Sequence, residues 1–575
     1  MADIPEGLKK YQIFNWLYFL VYMEHFIKKN TFSSFLFSSL ILRFINKMKR
    51  PLLFFFNYFY FSSLLFAQPL NTTAKTNYET KEDTHAHAYS TYISAASISK
   101  NIYVLASDEY EGRETGKKGQ KMAAAYIADE FKNAGIPPYY QNTYYQEFFL
   151  NVVLPMPAEI FVDNKQYIAN VDYYNYPSQS EQNIAASSIS FLGYGIQDGL
   201  YDDYKNKNTK GKILMVMAGE PFSRDSLSLV TGQKAKSLWS TFYKLKVEKA
   251  VENGAQGLLI VVDDIQKEMA ENKHQIDSPA MKLELSSDEM FIIFISKKIA
   301  NAILKNQTID QIKQKISNKE PLLNKELITK FEINLKNKLQ KISTENVLAY
   351  VEGSDLKSEL IIITAHYDHL GINGNIVYNG ADDNGSGTAA VMELAKTFAK
   401  AKNEGFGPRR SILFMTVAGE EKGLLGSAYY VKNPVYPLNN TVCNLNIDMI
   451  GRLDEKHEKN SNYVYLIGSD KLSSSLHTIS ENANKTHVNL DLDYTFNDEK
   501  DKNRFYYRSD HYNFAKNGIP VIFYFNGIHA DYHKETDEAE KIDFLKIEKI
   551  TRLVFFTAWE LANRNERIQV DSHKK

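Results

Sequence analysis

The chain is short of three things, and each absence removes a class of protein. A single cysteine, Cys443, among 575 residues excludes an internal disulfide framework. It stands in the apolar run before Asp448, the setting of a buried and inert thiol. Net charge is nearly absent: 68 Lys and Arg face 69 Asp and Glu, a formal balance of -1, which offers no bulk attraction to nucleic acid or to a strongly anionic surface. Long apolar runs are missing as well. Glu24, Lys28, Lys29, Arg43 and Lys47 interrupt those at the start, and the block PLLFFFNYFYFSSLLFA falls short of the ~20 residues of a spanning helix.

What that block does provide is the pattern of a signal peptide. Met48-Lys49-Arg50 is its basic start, the apolar block follows, and the small residue Ala67 precedes Gln68. This reading makes 1–47 an upstream extension of the frame, 48–67 a cleaved signal, and the periplasm or the cell exterior the destination, with no membrane span left after cleavage. No cysteine stands at the cleavage point, so no lipid anchor is implied. Residues 68–96, rich in Thr, Asn, Lys and Glu and without a period, predict a linker.

The length calls for two or more domains, and their chemistry gathers between Ile361 and Gly387. Ile361 to Thr364 reads as a buried strand that delivers His366 and Asp368 just past its end, where open parallel sheets form sites. A metal-bound imidazole needs an acceptor for its second nitrogen, and Asp368 can be that acceptor. His-x-Asp alone is weak evidence and fits a solvated, non-ligating loop better. Gly380-Ala381-Asp382-Asp383-Asn384-Gly385-Ser386-Gly387 then opens a run with helical spacing, which an N-cap favoured by the helix dipole would also explain. Further acids and a histidine follow apolar runs at Glu420-Glu421, Asp448 and Asp531-Tyr532-His533.

Taken in order, AHYDHLG, NGADDNGSG, AGEEKGLLGS, NIDMIGR and YHKETDE resemble the co-catalytic di-zinc exopeptidases of metallopeptidase family twenty-eight, which include bacterial leucyl aminopeptidases and glutamate carboxypeptidase. The resemblance implies two Zn2+ ions per chain. His366 and Asp448 would bind one, Glu421 and His533 the other, and Asp383 would bridge them. It makes Asp368 the partner of His366, and Glu420 the general base. Imidazole and carboxylate suit zinc, and two dications about 3.5–4 Å apart call for an anion between them. His529 competes with His533; the family's His-Thr-x-x-Asp pattern favours His533, although here it reads His533-Lys534-Glu535-Thr536-Asp537, with the threonine displaced. In YYRSDHYNFAKNGIP, Tyr506 and His511 are candidates for stabilising the tetrahedral intermediate, with a polar loop packed under the site as the alternative.

The expected fold is α/β, a mainly parallel sheet with helices on both faces, carried by 97–153 and 341–565. Residues 154–340 resemble an inserted protease-associated domain, smaller and β-rich, and 566–575 read as a polar tail. The implied function is an exported metallo-aminopeptidase acting on peptides. A carboxypeptidase, a glutaminyl-cyclase-like enzyme or a metal-free receptor ectodomain shares the architecture, and the last is disfavoured because none of the ligand positions is missing. Arg452 and Arg508 lie in site segments, and their orientation is open.

Overall fold

In the computed structural model, residues 84–138, 141–177, 181–199, 201–285, 289–320 and 326–571 are described. The expected upstream extension and signal peptide lie outside them, as does the linker up to residue 83.

Nine strands form the larger sheet. In chain order they are β1 (Tyr145–Leu154), β2 (Ala280–Lys282), β3 (Lys338–Val351), β4 (Leu356–His366), β5 (Arg410–Val417), β6 (Thr441–Ile447), β7 (Tyr463–Ile467), β8 (Asp491–Asp493) and β9 (Val521–Phe525). They lie side by side as β2-β1-β3-β5-β4-β6-β9-β7-β8. The stretch from Leu360 to Ile363 in β4 is apolar because both of its faces are covered. Ile361, Ile363 and Ala365 point into one core, formed with α1 (Lys118–Asn133), α2 (Gly387–Asn403) and α3 (Phe544–Asn563). Leu360 and Ile362 point into the opposite core, with Tyr430 and Phe514 from the helices Leu425–Lys432 and His511–Ala515. Such two-sided burial gives parallel strands their near-continuous hydrophobic runs.

The inner strands β5, β4, β6 and β9 keep the expected parallel run, and β7 and β8 form a parallel pair at the far edge. β1, β2 and β3 pair antiparallel, and β7 runs against β9. The cause is the route of the chain. β1 leads out of this layer and β3 brings the chain back beside it, paired from Tyr145↔Val347 to Leu154↔Lys338.

Between them lies an eight-stranded sheet running from Glu159 to Leu335, with apolar cores of its own. Its middle strands Gln182–Phe191, Ile213–Met217, Gly257–Val262 and Phe291–Ser296 are parallel. The 154–340 boundary is not clean, because β2 leaves this layer to pair with β1 (Asn151↔Lys282, Val153↔Ala280).

Two polar segments are more ordered than their composition predicts. Thr84–Ser90 is a helix inside the expected linker: Ala86, Tyr89 and Ile93 are buried, and Tyr89 stacks on Trp559 and donates its hydroxyl to Glu404 at 2.8 Å. A few well-spaced apolar residues fix it, although polar residues surround them. At the far end Ile568 is buried and Arg567 donates to the Thr441 carbonyl at 2.8 Å, so the expected tail is docked through Asp571.

Candidate metal centre

The carboxyl ends of β4, β5 and β6 converge on one crevice, the usual place for a site in an open α/β sheet. His366 is the last residue of β4, Glu420 and Glu421 follow β5, Asp448 follows β6, and the loop after β9 carries His533. Asp383 comes from the tight loop that opens α2.

That loop is held by its own polar side chains. Asn384 accepts from the backbone N–H of Gly387 at 2.8 Å and donates to the Ile447 carbonyl at 3.0 Å. Asp382 accepts from the Gly451 N–H at 2.6 Å, and Asp537 from the N–H groups of Asp382 and Asp383. Gly387 is required here, since a Cβ would lie 2.4 Å from both Asn384 Oδ1 and the Ile447 carbonyl. The result is that Asp383 enters the crevice on a braced backbone.

The two oxygens of Asp383 then face different imidazoles. Oδ1 lies 3.4 Å from His366 Nε2, which is also 3.2 Å from Asp448 Oδ1. Oδ2 lies 3.1 Å from His533 Nε2, which is 3.3 Å from Glu421 Oε2. His366, Glu420 and Asp448 form one group able to hold a cation; His369, Asp383 and Glu421 form a second. Behind them, Ser509 donates to Asp448 Oδ2 at 2.6 Å and receives a bond from Asn446.

Electrostatics favours cations in this place. Burial disfavours the imidazolium of His366, yet Asp448 and Glu420 outweigh it and hold its pKa well above the ordinary value. Burial likewise opposes a charged His533, which Asp383 and Glu421 nevertheless push up to about 10. Burial alone would raise Asp383, but its contacts with His366 and His533 pull it well below the carboxylate range. Glu420 goes the other way, driven well up by burial and by the neighbouring Glu421, Asp448 and Asp510 carboxylates. Concentrated buried carboxylate is tolerated only when matched by positive charge. Asp383 Oδ2 and Glu421 Oε1 have no hydrogen-bond partner. The carboxylates of Asp383 and Glu421, with two imidazoles, form a donor set that fits zinc.

The remaining sequence candidates fall in different places. Asp368 is fully buried, but its carboxylate is 4.0 Å from His366 Nδ1, which lies 3.1 Å from the Asp368 backbone oxygen instead. The carboxylate accepts from Thr115 Oγ1 at 2.7 Å and from the backbone N–H of Glu420 at 3.2 Å. His529 pairs with Asp382 at 3.3 Å, away from the ligand oxygens. Tyr506 and His511 are outside the crevice. His511 stacks on Phe523 inside the protein, where burial drives its pKa down to about 3, and Tyr506 lines a separate cleft with Lys471 and Arg504. Arg452 pairs with Asp531 at 2.6 Å.

Sequence reasoning missed several contributors. The crevice is walled by Met449, Phe505, Phe523, Phe525 and Ile528, and Tyr532 and Arg508 also line it. Tyr532 stacks on His533 with ring centroids 3.9 Å apart, and its hydroxyl accepts from Arg508 at 3.3 Å. Its position directly before a candidate ligand was the available signal. Arg113, fully buried, donates to the carbonyls of Tyr367, Asn379 and Gly380 and so ties two site loops together. Nothing in its surroundings in the sequence marks it.

Residues 346–558 match the profile of Peptidase family M28. A probable zinc metalloprotease of Pyrenophora tritici-repentis is 36% identical over 114 residues, 19% of this chain and 22% of that protein. A probable leucine aminopeptidase of Arthroderma otae is 30% identical over 226 residues, 38% of this chain and 58% of that protein. The chain thus spans less than two thirds of either relative. The solved aminopeptidase from Aneurinibacillus sp. strain AM-1 aligns over 84% of this chain and 98% of its own, with a TM-score of 0.50 and 18% identity, a likeness of fold.

Proposed function

Taking as premise that residues 346–558 belong to peptidase family M28, we propose that the chain is an exported zinc-dependent exopeptidase that removes N-terminal residues from peptides. The observation that carries this reading is the division of the Asp383 carboxylate between His366 and His533. His366, Asp448 and Asp383 Oδ1 would hold one Zn2+, and His533, Glu421 and Asp383 Oδ2 the other. Zinc bound there would acidify water and polarise a peptide carbonyl.

The chain's own residues do the rest. Glu420 lines the crevice with a proton affinity raised by burial and neighbouring carboxylates and only partly offset by His366 at 4.0 Å, so it accepts a proton from the attacking water and passes it to the leaving amine. Tyr532, whose hydroxyl burial keeps protonated, donates to the carbonyl oxygen as charge develops on it. The wall of Met449, Phe505, Phe523, Phe525 and Ile528 receives an apolar side chain, and the acidic floor receives the free ammonium. The layer between Glu159 and Leu335 is read as an inserted protease-associated domain, and the Met48–Ala67 pattern as the export signal.

Arg508 in the same crevice supports a second reading, in which it binds the terminal carboxylate of a carboxypeptidase substrate. Zinc-loaded protein assayed on leucyl peptides with free and acetylated N-termini, and on the same peptides with amidated C-termini, separates the two. Hydrolysis lost on acetylation supports the aminopeptidase. Loss on amidation alone supports the carboxypeptidase, and a wild type that binds no zinc overturns both.

A further inference from the structure

His369 has no part in the mechanism above, yet it is wholly buried against the candidate ligands. It is placed by backbone: its N–H donates to the Arg113 carbonyl at 3.2 Å, and it forms a bridge with Glu114. The 380 position is packed onto its ring so closely that a Cβ there would come within 2.5 Å, and Gly380 takes φ +54°. The imidazole is therefore fixed in orientation.

Its Nδ1 lies 2.9 Å from Glu421 Oε1 and 3.9 Å from Asp383 Oδ2. The ring is not aligned for a full hydrogen bond, and neither Nδ1 nor Glu421 Oε1 has any other partner. The other oxygen of Glu421, Oε2, faces His533 at 3.3 Å. One carboxylate is thus held between two imidazoles of unequal freedom. His369 is walled in, whereas the His533 side chain is 37% exposed at the rim.

We infer that His369 is the positioning residue of Glu421: its Nδ1–H holds one carboxylate oxygen so that the other is presented, with His533 and Asp383, to the second cation. The inference rests on the metal-centre reading and adds a residue to it. A free carboxylate rotates and alternates between its oxygens; one tethered on a single oxygen offers the same atom each time. Partners of this kind typically contribute 10–100-fold to metal affinity. His369 is not itself counted as a ligand, because its Nδ1 lies 3.9 Å from Asp383 Oδ2, against 3.1 Å for His533 Nε2.

The test compares His369→Phe, which keeps a ring but no donor, with His369→Asn, whose side-chain N–H stands near the Nδ1 position. Zinc affinities of both sites are measured by competition with a chromophoric chelator, and the metal-free proteins are melted to compare folding. The Phe variant is expected to lose roughly 10–100-fold in affinity for one ion, to hold the other within about twofold, and to be rescued largely by Asn. The visible spectrum of the cobalt-loaded Asn variant is expected to match that of the wild type. Unchanged affinities in a folded Phe variant, with a wild type that binds two ions, would overturn this inference and leave the metal centre standing. Loss of one cobalt from the Asn variant would also overturn it, by making His369 a ligand. Should the Phe variant not fold, a crystal structure of the zinc-loaded wild type decides. Nδ1 within hydrogen-bond distance of Glu421 supports the inference, and a ring nitrogen about 2.0–2.1 Å from zinc overturns it.

Discussion

Asp368 accepts the backbone N–H of Glu420 on one carboxylate oxygen, at 3.2 Å, while Thr115 occupies the other at 2.7 Å. The aspartate two residues after His366 therefore braces the candidate base more directly than it orients the histidine. Asp368→Ala is expected to lower kcat by roughly 10–100-fold, the usual effect of losing such a support, with zinc content nearly unchanged. Asp368→Asn, whose side-chain oxygen still accepts the Glu420 N–H, is expected to lose much less. Turnover and elemental analysis check both. A fall in zinc in both variants would return the role to His366.

Glu420→Gln preserves size but removes the proton acceptor. It is expected to cost roughly 10²–10⁴-fold in kcat while both zincs remain bound. Peptide hydrolysis near the wild-type rate would remove Glu420 from the mechanism.

Asp383 touches both imidazoles, so Asp383→Ala is expected to lower zinc content as well as turnover. Metal removal gives an independent readout. Because a bound ion stabilises only the native state, by about 4 kcal/mol at a thousandfold excess over Kd, a chelator is expected to lower the Tm of the wild type. The drop is expected to be clearly smaller in Asp383→Ala, as followed by scanning calorimetry.

Tyr532→Phe removes the hydroxyl that faces the crevice beside Arg508. If it donates only when the carbonyl oxygen gains charge, kcat is expected to fall by roughly 10²–10³-fold with KM little changed. A rise in KM at constant kcat would assign it to substrate binding instead.

A pH effect is expected outside the candidate metal centre. Burial holds the pKa of Lys246 down at about 7, while its Nζ donates to the carbonyls of Tyr194 and Gly219 at 2.6 and 2.7 Å. Between that value and the unfolded one of 10.5 the unfolded chain carries the extra proton, so this contribution to stability increases with pH. Asp203 beside it titrates lower, at about 6. Lys246→Met is expected to be less stable and to lose the increase, which melting curves at pH 7 and pH 9 would detect. An undiminished difference between the two pH values would exclude Lys246 as its source.

Three of the candidate ligands were legible because each sits at, or a few residues beyond, an apolar run that reads as a buried strand. His366, Glu421 and Asp448 are local to β4, β5 and β6, and strand ends are readable. Their supports were not. Thr115 reaches Asp368 across 253 positions and Ser509 reaches Asp448 across 61, and no spacing rule spans such separations. In the Tyr506 segment the eye falls on Tyr506 and His511, but His511 is buried in packing and Tyr506 lines another cleft, and the small Ser509 between them bonds Asp448. The antiparallel flanks were hidden for another reason. Antiparallel pairing of β1 with β3 depends on where the chain goes between them, which the residues of neither strand record.

The tripeptide Ala280–Lys282 belongs by sequence to the second layer and by hydrogen bonding to the first. It caps the outer side of β1, whose other side is taken by β3. Joining Leu154 directly to Lys338 would strip that cap and leave a row of bare amides and carbonyls along Asn151–Val153, and an open edge of this kind invites another copy of the chain to pair with it. The smaller layer thus lends the larger one a strand over part of its outer edge, and a truncated chain is expected to need a substitute strand or a charged, proline-bearing edge there.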